Sequence, residues 1–308
     1  MSSLYYGVDV GGTSIKMGIV NEKGDVLSRR EIRHASRPAG QTVMEEIIEG
    51  IRTHAEDLSV SFDVIGGIGV SAAGCINSNT GSVAENGGNV PGWSRTDVCN
   101  ILEREFGVKA TLANDANCAV LGEAWTGAAR GYTDVVGVTL GTGVGGGIIT
   151  GGKLLEGSRG YAGEIGHFPL HAGGEHCVCG LDGCFERYAS TSALTRHASL
   201  KDPAFGNGKT LFEWAAQGDE TARNLISEWV NEVAFGVAGL VHIFDPQIVL
   251  IGGGVSAQEE LLIRPLRDKV LTMIMPDFAK GLEFRGAILG NDAGMVGAVR
   301  YLLSREEE

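Results

Sequence analysis

Two segments of the chain share one pattern, in which a glycine-rich turn separates two apolar runs. They are VDVGGTSIKMGIV at residues 8–20 and VTLGTGVGGGIIT at residues 138–150. Apolar runs on either side of a short glycine turn are typical of two buried strands joined as a hairpin. Because strand and helix patterns alternate after each hairpin, the repeat indicates an internal duplication of one α/β unit.

The length of 308 residues suits two domains rather than one simple core. We predict an N-terminal α/β domain over residues 1–118, joined by a C-terminal helix at 293–308, and a C-terminal α/β domain over 119–292. In the first domain the patterns predict strands at 4–10, 15–21, 26–32, 63–70 and 109–115, and helices at 41–58, 94–106 and 116–129. Ser94 or Thr96 is the predicted cap of the helix at 94–106.

The formal net charge of −13 argues against partners that need a basic surface, namely nucleic acids and anionic membranes. The sequence has no run of about 18 apolar residues that would span a bilayer, and its first residues lack the pattern of a secretory signal. Cys75, Cys99 and Cys118 are scattered along the chain, as free thiols are in a reducing compartment. These features predict a cytoplasmic protein.

The first glycine turn carries residues that suit a nucleotide phosphate. Asp9 lies at the end of the first strand, Gly11 and Gly12 form the turn, and Thr13 and Lys16 follow. Backbone N–H groups, the Thr13 hydroxyl and the Lys16 ammonium could bind phosphate oxygens, and Asp9 could hold Mg²⁺ directly or through water. An ordinary hairpin without a ligand explains the same spacing about equally well.

The second turn contains G-x-G-x-x-G at residues 141–146, which is the spacing of a dinucleotide-binding fingerprint. That fingerprint opens a helix, whereas the β-branched residues after this turn predict a strand, so a phosphate loop between two strands fits better. A Walker P-loop is missing too: GNGKT at 206–210 matches the end of that motif, but Pro203 stands where the first glycine of the motif must be. A third glycine turn, at 251–256, could serve a ligand or only reverse the chain.

Asn114 and Asp115 lie where a predicted strand meets a predicted helix. Asp115 could cap the helix with its carboxylate, and the spacing alone favours that interpretation. The functional alternative makes Asp115 a general base at the mouth of a site, with Asn114 hydrogen-bonded to a polar ligand.

The segment HCVCGLDGCFE at 176–186 places three of the six cysteines within eight positions. A disulfide is disfavoured by the compartment and by the odd number, and the Cys-x-Cys spacing is not that of a redox centre. A histidine ten residues upstream could complete a tetrahedral Cys₃His zinc site. The ligands would be His167, Cys177, Cys179 and Cys184, with His171 and His176 as competitors for the fourth position. Four protein ligands would make the zinc structural.

Together and in this order, the motifs resemble those of the ROK family (named for repressors, open reading frames and kinases). DVGGTSIK at 9–16 and LGTGVGGG at 140–147 are similar to its two phosphate loops, and LANDAN at 112–117 to its catalytic Asn-Asp pair. EIGH at 164–167 with CVCGLDGCFE at 177–186 is similar to its zinc signature, and IVLIGGGVS at 248–256 to its late nucleotide-side turn. The resemblance extends over nearly the whole chain.

The resemblance implies an α/β, two-domain actin-like ATPase (RNase H-like) fold with an inter-domain cleft. It also implies transfer of the γ-phosphate of ATP to a sugar hydroxyl, with Asp115 as the base and Mg²⁺ on the phosphates. The implied sugar-binding residues are Gly74, Asn89, Asn114, Asp115, Glu164, His167 and Glu186. The implied residues for ATP and Mg²⁺ are Asp9, Gly11, Gly12, Thr13, Lys16, Thr142, Gly143, Gly253 and Gly254. One ring nitrogen of His167 would bind zinc, which leaves the other to meet the sugar.

Different parts of the sequence point to different sugars. VSAAGCIN at 70–77 is somewhat closer to the corresponding turn of N-acetylmannosamine kinases, whereas NVPGW at 89–93 and GYAGEIGH at 160–167 are similar to glucokinases. We therefore expect a glucokinase, with a kinase of N-acetylmannosamine, another N-acetylhexosamine or mannose as the alternative. A sugar-responsive repressor is disfavoured, because the first phosphate loop begins at residue 9 and leaves no room for a helix-turn-helix. The family resemblance suggests a homodimer.

Overall fold

A computed structural model of the protein describes residues 3–84, 90 and 92–307. This part of the chain is mixed α/β and forms two compact units. The first unit comprises Met1–Arg130, Leu154–Ala162 and Leu289–Glu308, and the second comprises Gly131–Lys153 and Gly163–Ile288. Asn89, a predicted sugar-binding residue, lies outside the described residues.

A five-stranded sheet forms the middle of the first unit. Its strands are β1 (Leu4–Val10), β2 (Ser14–Asn21), β3 (Arg30–Arg33), β4 (Ile65–Ala72) and β7 (Lys109–Asn114), while β5 (Ile76–Asn77) and β6 (Ser82–Val83) form a separate ribbon. The order across the sheet is β3-β2-β1-β4-β7. β1 and β2 are antiparallel, whereas β1, β4 and β7 run parallel. The carboxyl ends of β1 and β7 therefore lie on the same side of the sheet.

Helices pack against this sheet. They are α1 (Val43–Asp57), α2 (Val98–Phe106), α3 (Asp115–Trp125) and, numbered along the whole chain, α9 (Ala293–Glu306). Two of them bury one apolar face (α1 and α2), and two are buried along most of their length (α3 and α9). α1 begins with a capping box between Thr42 and Glu45 and buries residues such as Ile47 and Ile51. α9 packs closely on the sheet: a Cβ atom at Gly69 of β4 would collide with the backbone of α9 at Ala298.

The second unit contains a sheet of the same design. Its strands are β8 (Val135–Leu140), β9 (Val144–Thr150), β10 (Lys153–Leu154), β11 (Ile248–Gly252) and β12 (Glu283–Gly286), in the order β10-β9-β8-β11-β12. β8 and β9 are antiparallel, and β8, β11 and β12 run parallel. The two sheets therefore have the same order, and four strands of each share the same relative directions (β2, β1, β4 and β7 in the first, β9, β8, β11 and β12 in the second). This agrees with the duplication inferred from the two glycine hairpins.

The helices of the second unit follow the cysteines of the segment at 176–186, before or after β11. They are α4 (Glu186–Ala189), α5 (Thr191–Ser199), α6 (Gly208–Ala216), α7 (Glu220–Phe244) and α8 (Arg264–Leu271). α7 buries an apolar stripe that includes Trp229, whose Nε1 donates to the Ala189 carbonyl at 2.9 Å. Within the described ranges, no helix has both the length and the apolar character needed to cross a membrane.

Several predicted boundaries in the first unit are wrong, and two of them have local reasons. The predicted strand at 26–32 is reduced to β3, because the Ser28 hydroxyl, instead of a backbone carbonyl, accepts the hydrogen bond of the Ile19 N–H. α2 starts after Asp97, which takes the N-cap position predicted for Ser94 or Thr96, and no side chain caps the helix. The Thr96 carbonyl instead accepts from the Val83 N–H of β6 at 2.9 Å, which places Thr96 before the helix. A domain boundary after residue 118 would also divide α3, which is continuous to Trp125 and belongs to the first unit.

Candidate active site

The first glycine turn is tight and open on one side. The Gly11 N–H donates to the Ser14 carbonyl at 3.0 Å, which closes the turn between β1 and β2. A Cβ atom at Gly12 would meet nothing within 4 Å, and Thr13 is exposed, so a ligand can approach the backbone here. On β2, the Lys16 Nζ donates to Asn291 Oδ1 at 2.9 Å, just before α9.

Asp9 lies beside this turn and is largely enclosed by protein. The Ser71 hydroxyl donates to Asp9 Oδ1 at 2.6 Å, and Gly294 at the start of α9 leaves space for the carboxylate. Burial raises the pKa of the Asp9 carboxyl, while the Ser71 hydrogen bond and the charge of Lys16 lower it. Carboxylate oxygens are ligands that Mg²⁺ prefers. Asp9, next to a glycine turn that suits phosphate, therefore fits Mg²⁺ held directly or through water.

Asn114, and not Asp115, caps the helix that follows β7. The Asn114 Oδ1 accepts from the N–H groups of Ala116 and Asn117, and its Nδ2 donates to the Gly74 carbonyl at 3.2 Å. The sequence-based interpretation of Asp115 as the cap is therefore wrong. Asp115 is the first residue of α3, and its Oδ1 accepts from the Ala116 N–H at 2.9 Å. Its role as a base stays a prediction.

The second glycine turn is held from both ends by the segment that follows the cysteines. The Gly141 carbonyl accepts from the Thr191 hydroxyl at 2.6 Å and from the Thr191 N–H at 3.0 Å. The Val144 N–H donates to Glu186 Oε2 at 3.2 Å, and Gly143 packs so closely on this carboxylate that a Cβ atom would collide with it. β9 begins at Val144, so a strand follows the turn, as predicted.

The third turn lies directly beside the second one. β11 pairs in parallel with β8, and the turn after it brings Gly253 against the Leu140 carbonyl, at a φ of 89°. A side chain at this position would both collide and be strained, so glycine is required. Gly254 has open space around it, and Thr142 in the second turn is exposed. Both turns therefore face space that a nucleotide could enter.

The cysteine segment forms a compact cluster with one histidine. The donor atoms of His167, Cys177, Cys179 and Cys184 all lie within 4.8 Å of one another. The Cys179 and Cys184 sulfurs are 3.5 Å apart, and Cys177 Sγ is 3.7 Å from His167 Nδ1. Tetrahedral zinc with Zn–S bonds of about 2.3 Å separates its ligand atoms by about 3.8 Å, so the four residues fit the metal.

The two competing histidines are occupied elsewhere. His171 Nε2 lies 2.7 Å from Glu232 Oε2, and His176 Nδ1 lies 2.8 Å from Asp182 Oδ1. His167 is therefore the histidine that the structure places in the cluster. Because its Nδ1 faces Cys177, its Nε2 points to the opposite side of the ring.

Two carboxylates stand next to the cluster. Glu186 Oε1 is 3.6 Å from Cys177 Sγ, and Glu164 comes three residues before His167. Solvent still reaches the Glu164 side chain, but partial removal from water raises the pKa of its carboxyl group. His167 lowers this pKa, and the Glu186 carboxylate raises it further. Three predicted sugar-binding residues of the second unit thus lie close to one another beside Cys177: Glu164, His167 and Glu186.

Two residues at these turns have no motif in the sequence. Thr191 binds the second turn, and His34 binds the Gly11 carbonyl of the first turn through Nε2 at 2.9 Å. Thr191 is 50 positions from Gly141, and His34 is 23 positions from Gly11. Only the fold brings these pairs together, so local patterns carry no signal for them.

Comparison with known proteins identifies the family. The chain matches the model of the ROK family over residues 5–305. It is 37% identical to a glucokinase of Thermotoga maritima, with 97% of each chain covered, and 29% identical to an N-acetyl-D-glucosamine kinase of Haemophilus influenzae, with 98% of this chain and 100% of that protein covered.

A solved structure supports the same assignment. A ROK family glucokinase from Streptomyces griseus, in complex with glucose and AMPPNP, matches with a TM-score of 0.81 and 33% identity over 96% of this chain and 98% of that chain. This similarity confirms the predicted α/β actin-like ATPase fold. The chain belongs to the ROK family.

Proposed function

We propose that the protein is an ATP-dependent sugar kinase that phosphorylates a hexose hydroxyl, with glucose as its main substrate. The observation that carries this proposal is the position of Glu186. Its carboxylate accepts from the Val144 N–H of the second glycine turn and stands 3.6 Å from Cys177 Sγ. A carboxylate that could bind sugar hydroxyls is thus held between a glycine turn that could bind phosphate and the four candidate zinc ligands.

The glycine turns would bind the nucleotide. Backbone N–H groups of a glycine turn and the ammonium of Lys16 match phosphate oxygens in charge and geometry. Asp9 would hold Mg²⁺, which neutralises charge on the β- and γ-phosphates when bound. The full set that we assign to ATP and Mg²⁺ is Asp9, Gly11, Gly12, Thr13, Lys16, Thr142, Gly143, Gly253 and Gly254.

The sugar would be bound by groups that accept or donate hydrogen bonds to its hydroxyls. We assign this role to Gly74, Asn89, Asn114, Glu164, His167 and Glu186. Asp115 would accept the proton of the attacking hydroxyl while that oxygen bonds to the γ-phosphorus and ADP leaves. Asn114 supports this role, because its cap contacts and its bond to the Gly74 carbonyl fix the start of α3 next to Asp115.

The metal cluster would hold zinc through His167, Cys177, Cys179 and Cys184. Four protein ligands leave no position for a reactive water, so the metal supplies rigidity and fixes the tautomer of His167. The chain's own part is to present the other nitrogen of His167 and the carboxylate of Glu186 in fixed directions.

The identity of the sugar is tested by a coupled ATP-consumption assay with glucose, mannose, N-acetylmannosamine, N-acetylglucosamine and fructose. We expect the highest kcat/KM with glucose, because the glucokinases share more of this sequence than the N-acetylglucosamine kinase does. N-acetylmannosamine is the second candidate, favoured by the sequence at 70–77. A higher kcat/KM for any N-acetylated sugar would contradict the assignment to glucose.

Thr191→Val tests the second turn as part of the nucleotide site. The substitution keeps the shape and the backbone N–H but removes the hydroxyl that donates to Gly141. Loss of one hydrogen bond, worth about 1 kcal/mol, should raise the KM for ATP by about fivefold while the KM for glucose stays within about twofold. Thr191→Ser should restore it.

The matched control for this prediction is Thr195→Val. The Thr195 hydroxyl donates within α5, to the carbonyls of Thr191 and Ser192, and does not bind the glycine turn. An equal rise of the KM for ATP in both valine variants would show that α5 acts only through general stability.

The family resemblance further leads us to propose a homodimer that works in the cytoplasm. Light scattering of the purified protein and cell fractionation test these two points.

A further inference from the structure

We propose that His34 is a positioning residue for the nucleotide: it holds the first glycine turn in the shape that binds phosphate. This inference rests on the proposed assignment of that turn to ATP. His34 follows β3, in a short 3₁₀ turn at His34–Ser36, and it has no part in any of the sequence motifs.

His34 holds the turn by two separate contacts. Its ring Nε2 lies 2.9 Å from the Gly11 carbonyl oxygen, and its backbone N–H donates to the Thr13 carbonyl at 3.0 Å. A carbonyl oxygen points toward the donor that it accepts from. Both carbonyls are therefore turned toward His34, which keeps their partial negative charges away from the open side at Gly12, where phosphate oxygens would come.

The other side of the ring is fixed by a buried carboxylate. His34 Nδ1 lies 2.9 Å from Glu46 Oε2, and the Glu46 side chain is only 3% exposed. The Arg37 guanidinium stands 3.6 Å from the same oxygen. The Gly11 carbonyl and the Glu46 carboxylate therefore contact the two ring nitrogens, which lie on different sides of the ring. The contacts thus orient the ring in a single way.

This network is costly to bury and is not needed to build α1. Glu46 Oε1 and Arg37 Nη1 are buried with no hydrogen-bond partner recorded in the described part of the chain. Ion pairs taken out of water contribute little net stability, and apolar residues of the same size often serve as well. α1 already has its own capping box and apolar face. Packing does not explain why a carboxylate and a histidine lie here, whereas a role in fixing the Gly11 carbonyl does.

The test uses the whole enzyme and the variant His34→Phe, which keeps a planar ring of similar size and removes both nitrogens. We expect the KM for ATP to rise at least tenfold and Mg·ADP binding by calorimetry to weaken by a similar factor. The KM for glucose, and glucose binding without nucleotide, should change less than twofold. His34→Gln, whose amide N–H can still donate to Gly11, should recover at least half of the lost nucleotide affinity on a logarithmic scale.

His54→Phe is the matched control. His54 is a buried histidine of the first unit, whereas His34 is partly buried. It lies on α1, and its ring makes an edge contact with the Tyr6 ring at 5.9 Å between centroids, but no contact with the glycine turn is shown for it. It should alter thermal stability while leaving the KM for ATP unchanged. Should His34→Phe not fold, Glu46→Gln replaces it, with a rise of the KM for ATP of at least threefold expected.

The outcomes separate this inference from the proposed function. A wild-type protein without sugar-dependent ATP turnover would contradict the proposed function itself. An active wild-type protein whose His34→Phe variant binds Mg·ADP as tightly as before would overturn the role of His34 alone. Equal loss of ATP and glucose affinity in His34→Phe, or the same rise of the KM for ATP in His54→Phe, would also overturn it.

Discussion

Asp115→Asn is expected to lower kcat for sugar phosphorylation by about 10³-fold, within the range that a general base contributes. The amide cannot take the proton of the attacking hydroxyl. Its oxygen can still accept from the Ala116 N–H, as Asp115 Oδ1 does at 2.9 Å, so the start of α3 is preserved. The Kd for glucose, measured by calorimetry without turnover, should therefore change less than about threefold.

Glu220→Gln is the matched control for this variant. Glu220 is the first residue of α7 and is exposed, so the change removes an acidic charge from a helix N-terminus, as Asp115→Asn does. Such a charge contributes about 0.3–1 kcal/mol to helix stability. Both variants should lose a similar small amount of thermal stability, and only Asp115→Asn should lose turnover. A kcat within about tenfold of wild type in Asp115→Asn would reject Asp115 as the base.

Cys184→Ser is expected to abolish stoichiometric zinc and to destabilise the second unit. Cys184 is fully buried, and its sulfur lies 3.5 Å from Cys179. Because binding of a structural metal is part of the folding free energy, its loss should lower the free energy of unfolding and the Tm of the second unit. The KM for glucose should rise, because the fixed directions of His167 and Glu186 depend on the cluster.

Elemental analysis of the purified protein checks the metal directly, with about one zinc per chain expected for four protein ligands. Cys99→Ser is the control, since Cys99 lies on α2, outside the cluster, and should leave zinc and the KM for glucose unchanged. Purified wild-type protein without zinc, or a Cys184→Ser variant that keeps it, would contradict the metal assignment.

The elements that the sequence predicted well are those set by local patterns. The apolar runs around GGTS and GTG become β1, β2, β8 and β9, because buried strands need little beyond a continuous apolar run and a glycine turn. The grouping of the four candidate metal ligands was predicted for a similar reason: three of them lie within eight positions, and their spacing limits which side chains can meet.

The features that the sequence did not reveal depend on competition or on distance. Asp115 and Asn114 are both good capping residues, and only the backbone at the end of β7 decides that Asn114 takes the cap. Thr96 was a plausible cap for α2, but its backbone pairs with Val83 of β6, so the helix starts one residue later with Asp97 at the N-cap. His34 and Thr191 reach their glycine turns through the tertiary fold, which no local periodicity encodes.

Transfer of the γ-phosphate of ATP to a sugar hydroxyl can be followed directly by ³¹P NMR of the purified protein with Mg·ATP and glucose. We expect the γ-phosphate signal to be replaced by that of a sugar phosphomonoester, in an amount equal to the ADP formed. Omission of glucose should leave ATP intact. Release of inorganic phosphate in place of the ester, or no loss of ATP with any of the five sugars, would contradict this proposal.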